Sequence, residues 1–258
     1  LLLSTILSMA IAIPALAAQV PDGTKLSDNQ NYTYWMLDAV KSLDPQIISS
    51  VEDSDVARAL FEGLYNEDQD GNLVPGVALN HDLSEDKTTY TFHLRPEAKW
   101  SNGEPVTAQD FVYAWKRLAD PATASEYAWY MELMQVVNAS EIVAGTKPVD
   151  ELGIKAIDDH TFEVKLVAPL PYFPKMTTHT SVFPTPQKTI AEFGEKWTDP
   201  ANIVGNGAFT LTEHIPGEKI VVTRNPGYWD DAHTVLQTAT GLTINDNAIA
   251  LTRYQAGE

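Results

Sequence analysis

The sequence predicts an α/β fold of the mixed, α+β kind, and three observations predict it. Tyr90–Arg95 alternates, with Tyr90, Phe92 and Leu94 on one side, as a half-buried strand does. Phe111, Trp115 and Leu118 then recur on one helical face behind Thr107 and Asp110, which resemble a capping box with Asp in the acidic position. Two pairs of strand-like runs, one around Asp158-Asp159-His160 and one around Ile215-Pro216-Gly217-Glu218, read as hairpins.

Taken in order, residues 18–61 hold a short strand at Tyr32–Leu37, a loop at Leu43-Asp44-Pro45 and a helix. Ser54 or Asp55 is expected to cap that helix, Val56, Leu60 and Leu64 to form its apolar face, and Gly63 to end it in a left-handed conformation. In the middle stretch, Trp100-Ser101-Asn102-Gly103 carries turn chemistry. Asp120-Pro121 stops the second helix, because proline lacks the donor a helix interior needs. The hairpin strands are Leu152–Ile157 and Thr161–Val167, and Pro169–Pro174 is too proline-rich for regular structure. Lys188–Phe193 reads as a short helix, Ala208–Glu213 and Lys219–Arg224 as the second hairpin, Leu242–Ile244 as a strand, and Arg253–Glu258 as a helix end with Gly257 after it.

Composition excludes whole classes of partner. The 258 residues carry a formal net charge of −18, with only 17 Lys and Arg and no basic stripe. Nucleic acid and an anionic membrane surface both require clustered positive charge, so neither is expected. Leu1–Ala17 is uncharged and apolar and ends in Ala15-Leu16-Ala17, which reads as a secretory signal entered partway, without initiator Met or basic start. Pro14 and the shortness of the run argue against a membrane anchor. There is no cysteine. Disulfides and a lipid-modified N-terminal Cys are therefore excluded, and a soluble periplasmic protein is expected.

Motifs for chemistry are weak. Asn66–Gly71 places acids at alternate positions before a glycine, as a calcium loop does, but Val77 stands where the bidentate Glu belongs. A hairpin turn is the better reading. The six histidines lack the spacing of zinc ligands, so no metal and no cofactor is expected. No GxSxG elbow occurs, and Gly205-Asn206-Gly207 reads as a tight turn before a strand. Phe111 and Trp115 are expected in the core, whereas Tyr127, Trp129 and Tyr130 lie near turn chemistry and are candidates for lining a cleft.

Three blocks carry more. They are Leu60-Phe61-Glu62-Gly63-Leu64 through Val74–Ala78; Tyr90–Arg95 with Ala98–Gly103 and Val106–Val112; and Gly205–Phe209 followed by Arg224-Asn225-Pro226-Gly227-Tyr228-Trp229. Together they resemble the oligopeptide- and dipeptide-binding family of periplasmic solute-binding proteins, from about residue 20 to the end. The resemblance implies a two-lobed fold that closes on its ligand about a hinge. Residues 18–61 and 187–258 would form a discontinuous first lobe, 62–186 an inserted second domain, and the opposing lobe would lie outside this chain. It also implies that Ser49, Ser50 and Val51 pair with ligand main chain and that Tyr127 and His179 face ligand. Relatives carry an acid at the position of Ser49, which this sequence lacks.

The function so implied is the substrate-binding component of an ABC importer, a monomer when complete, that hands oligopeptides to membrane permease subunits. Murein tripeptide, a dipeptide or another small solute are alternative ligands on the same fold. A peptide-binding chaperone or sensor adaptor would share it, and an exported hydrolase is the competing class.

Overall fold

The computed structural model describes residues 18–258, so the signal segment read in residues 1–17 lies outside the described residues. The elements in chain order are β1 (Asn31–Met36), α1 (Val51–Leu60), β2 (Tyr65–Glu67), β3 (Leu73–Pro75), β4 (Ala78–Leu83), β5 (Thr89–Leu94), α2 (Ala108–Ala119), α3 (Trp129–Leu133) and α4 (Ala139–Val143). They continue with β6 (Ile154–Asp158), β7 (Thr161–Lys165), α5 (Phe173–Met176), α6 (Gln187–Phe193), β8 (Phe209–Ile215), β9 (Lys219–Arg224), β10 (Thr238–Thr243) and α7 (Asn247–Gln255).

Two four-stranded sheets organise the described residues. One has the order β1-β10-β9-β8, with β1 parallel to β10 from Asn31↔Thr238 to Met36↔Thr243 and its other pairs antiparallel. The second has the order β4-β5-β7-β6 and is antiparallel throughout. The first sheet thus unites the beginning and the end of the chain, whereas the second is built from a continuous middle stretch.

The alternation in β5 does what alternation should. Tyr90, Phe92 and Leu94 are buried while Thr89, Thr91 and His93 are only half-buried. Helix α2 covers this sheet, with the Trp115 ring edge-on to Phe162 at 5.2 Å and Phe111 stacked on Phe162 at 5.7 Å. At the start of α2, both the backbone N–H and the hydroxyl of Thr107 donate to the Asp110 carboxylate, at 2.8 and 3.1 Å. Asp110 therefore closes the cap by reaching back to the first position.

Several expectations are corrected. Helix α1 starts a turn earlier than read, because Ser50, and neither Ser54 nor Asp55, accepts the Asp53 N–H at 3.1 Å. Asp53 is then free to gather the preceding loop, accepting the N–H of Lys41 at 2.7 Å. Gly63 is not a left-handed helix end, since Phe61 already leaves the helix with extended backbone. Its missing Cβ makes room instead for the Phe183 ring, which a Cβ would meet at 2.6 Å. Gly205 and Gly207 likewise have ordinary φ; a Cβ on Gly207 would stand 2.6 Å from the Ala59 carbonyl oxygen. The strand read at Leu242–Ile244 begins earlier, at Thr238. The proline-rich run yields one helical turn, α5, with Pro174 near its start, where a missing donor costs nothing. The Asn66–Gly71 acids form the β2–β3 hairpin, in which Asp68 accepts the backbone N–H of Asp70 and Asn72.

Candidate functional site

The site grows from the loop that precedes α1. Asp44 in this loop takes both terminal nitrogens of Arg117 from α2, at 3.1 and 2.7 Å, and the indole N–H of Trp197 at 3.2 Å. Gln46 donates to the carbonyls of Ser181 and Phe183 and accepts from Arg117 and Thr185. A paired, hydrogen-bonded buried charge of this kind is a costly but directional fastener. It ties the loop to α2 and to the 180–185 turn at once, so the chain leaving the loop at Ile48 has a fixed direction.

What emerges is the segment Ser49-Ser50-Val51. The Ser50 hydroxyl is occupied as the cap of α1, Ser49 is exposed, and Val51 is 73 % exposed at the first helical position. The segment thus presents the exposed Ser49 and an apolar side chain at Val51, and no charge. Along α1 from this point, the hydroxyls of Ser54 and Thr180 stand 3.5 Å apart, and Arg58 donates to the Thr178 carbonyl at 3.0 Å. Helix α1 is thereby laid against the 178–182 turn, which carries His179.

His179 is the inner end of an aromatic array. Its ring stacks on Tyr130 at 4.5 Å and lies 4.9 Å from Tyr127, and Tyr127 in turn lies 5.8 Å from Trp129. Burial, helped by the Arg58 charge, lowers the His179 pKa to about 4, so the ring is neutral at neutral pH. Its Nδ1 accepts the Ser181 N–H at 3.2 Å, which leaves the proton on Nε2. The Ser181 hydroxyl is 2.8 Å from the same Nδ1, a nucleophile–base distance. Ser181 is nevertheless 0 % exposed, so this pair fastens a turn and presents no oxygen to a substrate. The Tyr130 hydroxyl donates to the Met176 carbonyl at 3.0 Å, and burial pushes its pKa up to about 12.

Beyond Arg58 the wall opens into a cavity of about 450 Å³ lined by Arg58, Phe61, Glu62, Asn66, Phe183 and Tyr228, among others. Glu62 is 3 % exposed and accepts from the Tyr228 hydroxyl at 2.5 Å, the Trp229 indole at 2.7 Å and Asn66 at 2.8 Å. Burial raises its pKa, and the three donors and Arg95 oppose that rise. Arg95 sits 3.4 Å over the Trp229 ring and donates to the Gly76 carbonyl, which completes the network.

The structure thus brings Tyr127 and His179 into contact and sets Ser49–Val51 at the start of the helix that packs against the His179 turn. Arg58 and Glu62 were missed from sequence. Arg58 gives no local signal, but an acid in the apolar run Leu60-Phe61-Glu62-Gly63-Leu64 is a sign of a satisfied buried carboxylate. Among the described residues no group of three or more acids or histidines is placed to hold a metal ion, and no helix is long and apolar enough to cross a membrane.

Comparison with known proteins places this geometry. The periplasmic oligopeptide-binding protein OppA of Salmonella typhimurium is 49 % identical over 251 residues, 97 % of this chain and 46 % of its own length. The periplasmic murein peptide-binding protein MppA of Escherichia coli is 46 % identical over 242 residues, 94 % of this chain and 45 % of its own. Among solved structures, Haemophilus influenzae OppA in complex with the peptide RPPGFSPFR superposes with a TM-score of 0.88 at 46 % identity, covering 90 % of this chain and 45 % of that one. The chain therefore spans about half the length of these relatives, both of them binding proteins. The model of the bacterial extracellular solute-binding proteins, family 5 (middle), matches residues 72–258, and the chain belongs to that family.

Proposed function

We propose that this chain is part of the substrate-binding component of a peptide importer, working in the periplasm and handing oligopeptides to membrane permeases. The observation that carries the reading is the composition of the wall. Exposed Ser49 and Val51 stand at the start of the helix that packs against the turn of His179, whose neutral ring meets Tyr130 and Tyr127, and buried polar fasteners hold the loop behind them. Strand-like pairing with ligand main chain gives affinity without reading sequence, and flat aromatic surfaces accept many side chains. The organisation we infer has residues 18–61 and 187–258 in one lobe and 62–186 as an inserted domain, with the opposing wall in the part of the relatives' length not spanned here. On this reading Ser49, Ser50, Val51, Tyr127 and His179 meet ligand, and the site binds without reacting, because Ser181 beside His179 is sealed from solvent.

Native mass spectrometry on the longest natural polypeptide that carries this chain, purified without denaturation, tests the reading. A ladder of small-peptide adducts that exchanges with added tripeptide is the expected result. A single non-peptide adduct would transfer the function to another solute, and cleavage of added peptide would return the hydrolase.

A further inference from the structure

The aromatic array does not stop at the wall of the cleft. Its outermost ring, Trp129, is 50 % exposed, although it lies 5.8 Å from Tyr127 and edge-on to Tyr130 at 5.9 Å. Three of the tryptophans, Trp100, Trp115 and Trp197, are sealed in the core, whereas the Trp129 ring is held by its aromatic neighbours and yet left half in water. The indole N–H of Trp129 donates to no protein acceptor among the described residues, whereas those of Trp35, Trp115, Trp197 and Trp229 all do.

The sequence around this ring supplies charge. Hydrogen bonds of the i+3 kind run through the segment, from Ala128 N to Ser125 O, Tyr130 N to Tyr127 O and Met131 N to Ala128 O. Side chains three apart on such a turn stand one above the other. Glu126 and Glu132 are the residues three before and three after Trp129, and neither carboxylate forms an ion pair among the described residues. The one cation that acts on the array, Arg58, does so at its opposite, His179 end.

We propose that Trp129 with Glu126 and Glu132 is a subsite at the rim of the cleft for a cationic side chain, Arg or Lys, of the bound peptide. The ring array carries the site, and the two carboxylates carry the choice of side chain. A guanidinium or ammonium laid on the indole gains the attraction of the ring quadrupole, and the acids three positions before and after Trp129 add negative charge to the same short segment. The proposal rests on the peptide-binding reading above.

The test is calorimetric titration of the longest natural polypeptide carrying this chain with Ala-Arg-Ala, Ala-Lys-Ala and Ala-norleucine-Ala, alongside Trp129→Ala, Trp129→Phe and the double variant Glu126→Gln/Glu132→Gln. The readout is the ratio of Kd values for norleucine and arginine peptides within each variant, which a general loss of stability does not move. The unmodified protein is expected to favour the basic peptides. Trp129→Ala should cut that ratio about fivefold, which corresponds to about 1 kcal/mol for an exposed cation–π contact. Trp129→Phe should restore part of it, and the double variant should lower it and flatten its dependence on salt. Tight peptide binding with a ratio indifferent to all three variants would overturn the subsite and leave the receptor reading intact. Failure of the unmodified protein to bind any of the three peptides would overturn both.

Discussion

Single residues decide most of what this wall can do, and His179 shows how. Its ring is half-buried, its Nδ1 is taken by the Ser181 N–H, and its pKa is held near 4. The unfolded chain, with an ordinary histidine, takes up its proton nearer pH 6.5. Between those values the unfolded state binds more protons than the folded one, so stability falls as pH is lowered from about 6.5 toward 4. Replacing His179 by Gln should reduce the slope of Tm against pH across that window, measured by calorimetry, with His81 and His214 contributing the slope that persists. Glu62 obeys a different logic. It stays useful as a charge only because Tyr228, Trp229 and Asn66 all donate to it, replacing the water that burial removes. Nothing in the spacing of Tyr127 and His179 announces that two rings 52 positions apart share a contact of 4.9 Å. Resemblance to a family implies that each faces ligand but says nothing of their contact, whereas the reading of Tyr127, Trp129 and Tyr130 as cleft-lining candidates comes from their place beside turn residues.

Elements were legible in proportion to how local their causes are. Strand β5 declares itself because every second side chain is apolar, and α2 because its cap, its buried face and its stop all agree. Helix α1 was misplaced by a turn because Ser50, Ser54 and Asp55 are all competent caps, and only the tertiary demand on Asp53 chooses among them. Strand β10, Thr-Ala-Thr-Gly-Leu-Thr, has little pattern of its own and is a strand because β1 and β9 hold it on both sides. The glycines around Asn206 read as a tight turn before a strand; the strand is there, but the glycines make no tight turn. They are there so that the strand leading to β8 can lie against the last turn of α1, where the Gly207 N–H donates to the Leu60 carbonyl at 2.9 Å. Gly207→Ala should therefore destabilise by about 1–3 kcal/mol in urea denaturation, the usual cost of overpacking. A loss below about 0.5 kcal/mol would show that the helix end yields.

Across the whole molecule, one apolar core runs through the residues of both sheets, and a few buried polar fasteners fix the direction of the loops around it. Asp44, Arg117, Gln46 and Trp197 link the loop before α1, helix α2 and the segment after α6 in one network. Asp44→Ala would leave the Arg117 guanidinium with the Gln46 side-chain oxygen alone and no countercharge, and the Trp197 N–H without an acceptor, in a nearly dry site. A loss of about 3 kcal/mol is expected, as for removing one partner of a buried pair. Protease nicking between residues 41 and 50 should accompany it, read by limited proteolysis. If stability is unchanged and the loop stays resistant, the fastener is not what sets the direction of the chain into α1.

The pairing of β1 with β10 has a temporal side. Tyr32 lies against Ala239, more than two hundred residues away along the chain. At about 5–20 residues per second of synthesis, the first strand waits roughly 10–40 s before its partner has been made. Throughout that interval Tyr34 and Met36, half-buried and buried in the fold, are uncovered, and the strand has no neighbour on either edge. A nascent chain of this kind needs a holding factor at its N-terminal end, and a stall just before codon 238 should leave β1 the first segment cut by a protease and the first to aggregate.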